Sequence, residues 1–290
     1  MRTRTPIVAG QFYPASREKC LEEIRQCLAA RPLPETLPPA VVGGIVPHAG
    51  WTFSGELAAL VFAAVKKRHE TVATFVIYGT AHSYFHALPA VDDSDAWQTP
   101  LGAIQIDKDL CTILLDSGVV AANAEAHRQE HSIEVQVPFI QYLFPEARIV
   151  PILVPPVESA IPLGEAADSL SRGTSRRLVY IGSTDLTHYG PRYGFTPMGR
   201  GPDAYQWASN VNDRQFIDLA VAMDAERLLA GAIETGNACG PGAAAAAVAA
   251  ARKLGVTRGQ LLAYTTSNDV MQAKMGATAR DSVGYAAIVF

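Results

Sequence analysis

The sequence predicts an α/β fold, a central mostly parallel or mixed sheet flanked by helices. Apolar, β-rich runs alternate along the chain with longer amphipathic ones. Two of the runs, Phe75–Tyr78 and Leu178–Ile181, are continuously apolar, as strands covered on both faces are. A hydrophobic fraction of 49% against 18% charged residues supports a packed core rather than a disordered chain.

Taken in order, Ser16–Ala29 has an apolar stripe at helical spacing, with Cys20 and Cys27 both on the core side. The prolines between Pro32 and Pro39 mark turns. Val41–Val46 reads as a buried strand, followed by a helix over Ser54–Lys67 with Ser54 as its cap. The next strand is Val72–Tyr78, then helices over Asp107–Leu115 and Ile133–Leu143. Strand Arg148–Val154 is closed by Pro155 and Pro156, ahead of a helix over Glu158–Ser171 and strand Arg177–Gly182. Helices follow over Asp203–Leu219, Ala225–Ile233 and Gly242–Leu254, then strands Gln260–Thr265 and Val283–Phe290. The alanines from Ala243 to Ala251 read as a buried helix whose small side chains permit close backbone approach. No internal repeat is present and neither proline cluster is long enough for a flexible linker, so residues 1–290 read as a single domain. Periodicity leaves the strand order open.

Charge and cysteine usage remove several function classes. A formal charge of −4 gives no drive toward phosphate backbones, so nucleic acid is not an expected partner. The first ten residues have arginines but no apolar stretch behind them, and no run approaches the roughly 20 residues of a membrane helix. The expectation is a cytoplasmic protein with no membrane partner. Cys20, Cys27, Cys111 and Cys239 are scattered without CxxC spacing, which argues against a disulfide framework.

The polar residues that matter sit just past predicted strands. Val41–Val46 runs into Pro47 and His48, Val72–Tyr78 into Gly79–His82, and Leu178–Gly182 into Ser183–Tyr189, which contains Asp185 and His188. Three strands thus deliver a histidine beyond their carboxyl ends, the edge at which open α/β sheets bind ligands. Cys239 precedes the alanine-rich helix, whose positive N-terminal end favours a thiolate. Singly, each residue has a plainer role: a loop histidine, an ordinary buried thiol, an aspartate closing a turn. Their spacing matches no local zinc motif, and only recurrence at one edge favours a joint site. Trp51, Phe53, Tyr84, Phe85 and Tyr189 divide between core and pocket lining, and Arg192, Arg200 and Arg214 read as solvated surface charge.

These segments also carry a resemblance. Ala9–Pro14, Pro47–Gly55, Gly79–His82, Thr99–Gly102, Glu130–Phe139, Ser183–Tyr189 and Ala238–Gly240 resemble, in order and over nearly the whole chain, the motifs of the Memo family, part of the AmmeMemoRadiSam group. The resemblance implies a fold similar to class III extradiol dioxygenases, which use Fe(II). It places metal ligands on His48, His82 and Cys239, selecting His82 over nearby His86. It makes His188 the acid/base histidine with Asp185 beside it, and leaves His131 and Trp51 as pocket or supporting residues. The metal it implies is first of all Fe(II), with copper or zinc as alternatives, because a thiolate in place of the usual carboxylate is a softer donor that shifts preference toward them. The implied functions are a redox metalloenzyme acting on a small, aromatic-type molecule, an adaptor recognising phosphotyrosine peptides as eukaryotic relatives do, and a partner of a radical-SAM enzyme or AMMECR-like protein. A zinc hydrolase is a fourth reading.

Overall fold

The computed structural model describes residues 2–172 and 176–290. The first half contains β1 (Thr3–Arg4), α1 (Arg17–Ala30), β2 (Gly43–Val46), α2 (Trp51–Arg68), β3 (Thr74–Thr80), β4 (Ala90–Val91), β5 (Ala96–Thr99) and β6 (Gly102–Gln105). Next come α3 (Lys108–Asp116), β7 (Ala121–Ala122), α4 (Ala124–His127), α5 (Val137–Leu143), β8 (Arg148–Val154), α6 (Ala160–Glu165) and α7 (Ala167–Arg172). The remainder is β9 (Leu178–Ser183), β10 (His188–Tyr189), α8 (Pro202–Trp207), α9 (Asp213–Val221), α10 (Ala225–Thr235), α11 (Pro241–Lys253), β11 (Gln260–Thr266), α12 (Ser267–Met275) and β12 (Ser282–Val289).

The main sheet runs β10-β12-β2-β9-β3-β8-β4-β7, with β11 also paired to β12. Its centre, β2-β9-β3-β8, is parallel, and antiparallel β12 and β4 flank it. The sheet is therefore mixed with a parallel heart. A separate small sheet, β1-β5-β6, holds the N-terminal segment.

Helices cover both faces for a reason visible in the glycines. Gly44 pairs with Ile181, one residue before Gly182, so the pleat turns the two glycines to opposite faces. A Cβ on Gly44 would meet Val61 of α2 at 2.7 Å, and one on Gly182 would meet the Ala243 carbonyl of α11 at 2.8 Å. Helix α11 is buried from Pro241 to Ala251 and lies against α6, where a Cβ on Gly164 would be 2.3 Å from the Ala246 oxygen. Alanine here lets backbones approach, as the composition suggested.

The differences from expectation are local. Helix α2 starts at Trp51 with Gly50 as cap, and Ser54 instead bonds back to the Ala49 carbonyl from inside the first turn. The stretch expected as one helix from Glu158 divides into α6 and α7. The one expected over Asp203–Leu219 is interrupted by a π-helical turn at Ala208–Asn212. Helix α12, closed by a capping box between Thr266 and Asp269, carries too little apolar pattern to announce itself. Among the described residues no helix is long and apolar enough to cross a membrane.

Candidate metal centre

Strands β2, β9 and β3 are adjacent and parallel, so their carboxyl ends open at one point of the sheet edge. His48 follows β2 by two residues, His82 follows β3 by two, and the Ser183–His188 segment leaves β9. Cys239 arrives from outside the sheet. Its loop is fastened to the β9 segment by a bridge between Leu186 and Ala238, by Cys239 N–H donating to the Asp185 carbonyl (3.2 Å), and by Gly240 N–H donating to Thr184 Oγ1 (2.8 Å). A Cβ at Gly240 would lie 2.0 Å from Thr80 Oγ1, so only glycine lets the loop approach this closely.

Two of the imidazoles are committed through Nδ1. His48 Nδ1 lies 3.1 Å from Ser183 Oγ, whose own proton goes to the Ser132 carbonyl (2.7 Å). The hydroxyl oxygen therefore accepts from His48, leaving Nε2 free of a proton. His82 Nδ1 faces the Glu130 carboxylate at 2.9 and 3.0 Å. Glu130 also accepts from the backbone N–H groups of His82 (3.1 Å), His131 (2.8 Å) and Ser132 (2.8 Å). Opposite the two Nε2 positions sits Cys239, its Sγ 3.2 Å from His48 Nε2 and within hydrogen-bonding range of His82.

The charges follow from this arrangement. Burial opposes a Cys239 thiolate, but the neighbouring His48 and His82 outweigh it and draw the thiol down to about 6. Burial likewise opposes protonated His82, yet its bonds to Cys239 and Glu130 push it up to about 10. His48 is lowered, chiefly by burial, so the proton paired with the thiolate rests on His82, which has Glu130 behind it. Glu130 is held well below the usual carboxylate range: burial alone would raise it, and His82 and the Ser132 amide prevail. Burial pushes His131 down to about 4, with Glu130 opposing.

His48, His82 and His131 offer ring nitrogens that all lie within 4.8 Å of one another and form a group that can hold a metal ion. His131 stacks on His82 with rings 8° from parallel and centroids 4.9 Å apart, and His48 stands nearly perpendicular to both.

Above these groups is a cleft of about 490 Å³, lined on its aromatic side by Phe12, Phe53, Tyr193 and Tyr285. His188 lines it too, with Nδ1 on the Leu186 carbonyl at 3.0 Å and Tyr193 edge-on to its ring. Asp185 does not fix that ring. Its carboxylate accepts the N–H groups of His48 (2.7 Å) and Ala49, holding the turn that presents His48, and burial raises it above its ordinary value. Trp51 lies beneath the site in the core, packed on Tyr13 and Phe139 and donating to the Val135 carbonyl. Tyr84 and Tyr189 are also core, whereas Phe85 is exposed. Arg192 is at the cleft rim, and Arg214 pairs with Asp218 on the surface. His86 is not part of the cluster and stacks on Tyr84.

The family model described as Memo-like protein matches residues 4–289. The chain belongs to the Memo family. Similar relatives include MEMO1 family proteins of Methanopyrus kandleri (37% identical over 299 aligned positions, 99% of this chain and 98% of the relative) and of Methanosarcina barkeri (34% over 293, 99% of each). One from Thermococcus onnurineus is 36% identical over 301, again covering 99% of each. In this Memo-family chain, sequence reasoning named His131 but missed what Glu130 and Ser183 do. The signal available for Glu130 was its place directly before His131; for Ser183, a hydroxyl next to a strand end, there was none.

Proposed function

We propose that this chain is a redox metalloprotein that holds its ion with His48, His82 and Cys239 and acts on a small molecule in the cleft above them. The observation that carries the reading is the commitment of both histidine Nδ1 atoms, to Ser183 and Glu130, which aims both Nε2 atoms at a low-pKa thiol, where a metal ion would take the place of the proton His82 holds. The 3.2 Å between Sγ and His48 Nε2 is close to the roughly 3.5 Å that N and S ligands of one tetrahedral ion would show.

His131 belongs to the cluster by distance but is the weaker third donor. Its ring is stacked on that of His82, 8° from parallel with centroids 4.9 Å apart, whereas Cys239 Sγ faces His48 Nε2 and His82 directly. A soft thiolate with two imidazoles suits iron, copper or zinc, and a redox-active ion there supplies electron transfer and Lewis acidity toward a substrate oxygen. The protein's own part is to bind and orient. Phe12, Phe53, Tyr193 and Tyr285 give an aromatic wall suited to an aromatic ring. His188, with Nδ1 donating to Leu186, keeps Nε2 to accept a proton from a substrate hydroxyl. His131, held neutral by burial, is a second acceptor at the floor.

The test is elemental analysis of protein purified anaerobically without chelator, beside Cys239→Ala and His131→Ala. Near-stoichiometric iron or copper that survives His131→Ala and falls sharply in Cys239→Ala supports the donor set. Retention in Cys239→Ala with loss in His131→Ala reassigns it to three histidines. No retained metal, even on reconstitution, sinks the redox reading. The second reading, a peptide-binding adaptor, then gains, because Arg192 at the rim offers a cation to an anionic side chain.

A further inference from the structure

The π-helical turn at Ala208–Asn212 turns both Asn212 and the first residue of α9, Asp213, inward, with 2% and 1% of their surfaces exposed. Such turns insert one extra residue and re-aim the side chains around them. Asp213 Oδ1 accepts the Thr187 N–H at 2.9 Å, Oδ2 accepts the Tyr264 hydroxyl at 2.6 Å, and the Thr187 hydroxyl bonds the same carboxylate. Asn212 donates to Thr187 Oγ1 (3.0 Å) and to the Thr235 carbonyl, while its own carbonyl takes the Asn237 amide (3.0 Å). A Cβ on Gly284 would fall 2.0 Å from Asp213 Oδ2, so β12 is glycine where the carboxylate crosses it. No lysine or arginine pairs with Asp213 among the described residues, which leaves a buried carboxylate without a fixed cation.

The residue that this carboxylate grips is the neighbour of His188. Thr187 is locked on its backbone N–H, its hydroxyl and, through its carbonyl, the Gly284 N–H (3.1 Å), and His188 then enters β10 opposite Val283. We infer that Asp213 is a positioning residue for His188, clamping Thr187 so that the ring stays at the cleft with Nδ1–H on Leu186, and supplying the buried counter-charge when that ring is protonated. The inference rests on the reading of His188 as the proton-handling group of the cleft. Burial raises Asp213 to about 6, against its hydrogen bonds from Thr187 and Tyr264 and, more weakly, against a positive His188. The other ionisable groups of the cleft are Asp185 on the ring's own segment, Arg192 and Tyr193 on the following turn, Asp281 and Tyr285 at β12, and His48, His82 and His131 of the candidate centre.

The experiment is NMR on the full chain as purified. The Asp213 carboxyl carbon is titrated in the wild type and in His188→Gln, and the His188 ring nitrogens are read in Asp213→Asn and in a Tyr264→Phe control. The expected results are an Asp213 midpoint that rises in His188→Gln, and a single Nδ1–H tautomer of His188 that becomes mixed in Asp213→Asn but not in Tyr264→Phe. An unmoved Asp213 midpoint, an unchanged tautomer pattern in Asp213→Asn, or the same disturbance in Tyr264→Phe overturns the inference. Metal content is measured on the same samples. Wild-type protein that holds no metal would count against the redox reading and leave the tautomer and titration readouts standing.

Discussion

Glu130→Gln is the sharpest perturbation of the candidate centre, because it alters one atom behind one proposed ligand. In the native site one carboxylate oxygen takes the His131 and Ser132 N–H groups at 2.8 Å each, and the other takes the His82 N–H at 3.1 Å. Both lie within 3.0 Å of His82 Nδ1. Glutamine keeps its carbonyl oxygen for His131 and Ser132, so the amide nitrogen must face His82, a donor against two donors. The imidazole can relieve the clash by moving its proton to Nε2, which blocks the coordinating position. Loss of such a supporting carboxylate lowers metal affinity about 10–100-fold, on the order of 1.4–2.7 kcal/mol. The assay is competition against a chelating dye, paired with nitrogen NMR of His82 in the metal-free protein titrated through about 10, where the native ring becomes neutral. An affinity within about twofold of wild type, with Nε2 still unprotonated in the neutral ring, would refute the reasoning, since Glu130 would then serve only the backbone.

Three further outcomes are expected. Arg4→Met leaves Glu134 buried without the guanidinium that bonds it at 2.8 Å, with only the Ile7, Val8 and Tyr13 donors. Urea unfolding should show a loss of about 3–5 kcal/mol, and a loss under 1 kcal/mol would mean the pair is dispensable. Gly164→Ala drives a methyl to 2.3 Å from the Ala246 oxygen and should cost about 1–3 kcal/mol in the same assay, whereas an unchanged midpoint would contradict the close α6–α11 approach. Asp213 reverses the usual carboxylate sign: its folded value, about 6, lies above its ordinary value of 3.8, so the folded state holds the proton more tightly. Its contribution is complete below pH 4 and is lost as pH rises through 6, about 3 kcal/mol in all. Asp213→Asn should therefore gain stability relative to wild type between pH 4 and pH 7, and parallel pH profiles for the two would reject that sign.

What was legible in the sequence was what periodicity and strand ends record. Strand Arg148–Val154 emerges with the expected bounds, and β2, β3, β9, β11 and β12 within two residues, because continuous apolar runs are written by burial on both faces. The three histidine positions were legible for the same reason: they follow runs that can only be central strands. Two-residue strands such as β4, β7 and β10 carry too few side chains to form a pattern, and β1, β5 and β6 make a satellite sheet fixed by partners far away in sequence, Thr3 with Ala96 for example. The division at Ala208–Asn212 was hidden because a π turn changes hydrogen bonding without breaking an amphipathic stripe. The roles of Glu130 and Asp213 are likewise long-range: each is defined by what it holds, 48 residues from His82 in one case and 26 from Thr187 in the other.

That distinction explains how the candidate centre is built. His48 and His82 stand at the ends of strands locked in register with β9, so their separation is set by the sheet and changes little with local sequence. Cys239 is fixed instead by hydrogen bonds to the β9 segment from its own loop, and by Asn237 reaching the π turn. The sulfur is thus the adjustable member of the set, and the turn that positions it through Asn212 also positions His188 through Asp213. A disturbance of the π turn therefore reaches a proposed soft ligand and the proton acceptor together while leaving the two imidazoles in place. Asn212→Ala, which breaks the bonds to Thr187 and Thr235 but keeps the backbone carbonyl for Asn237, separates the two effects. Disorder at His188 with Cys239 unmoved is the result this geometry requires.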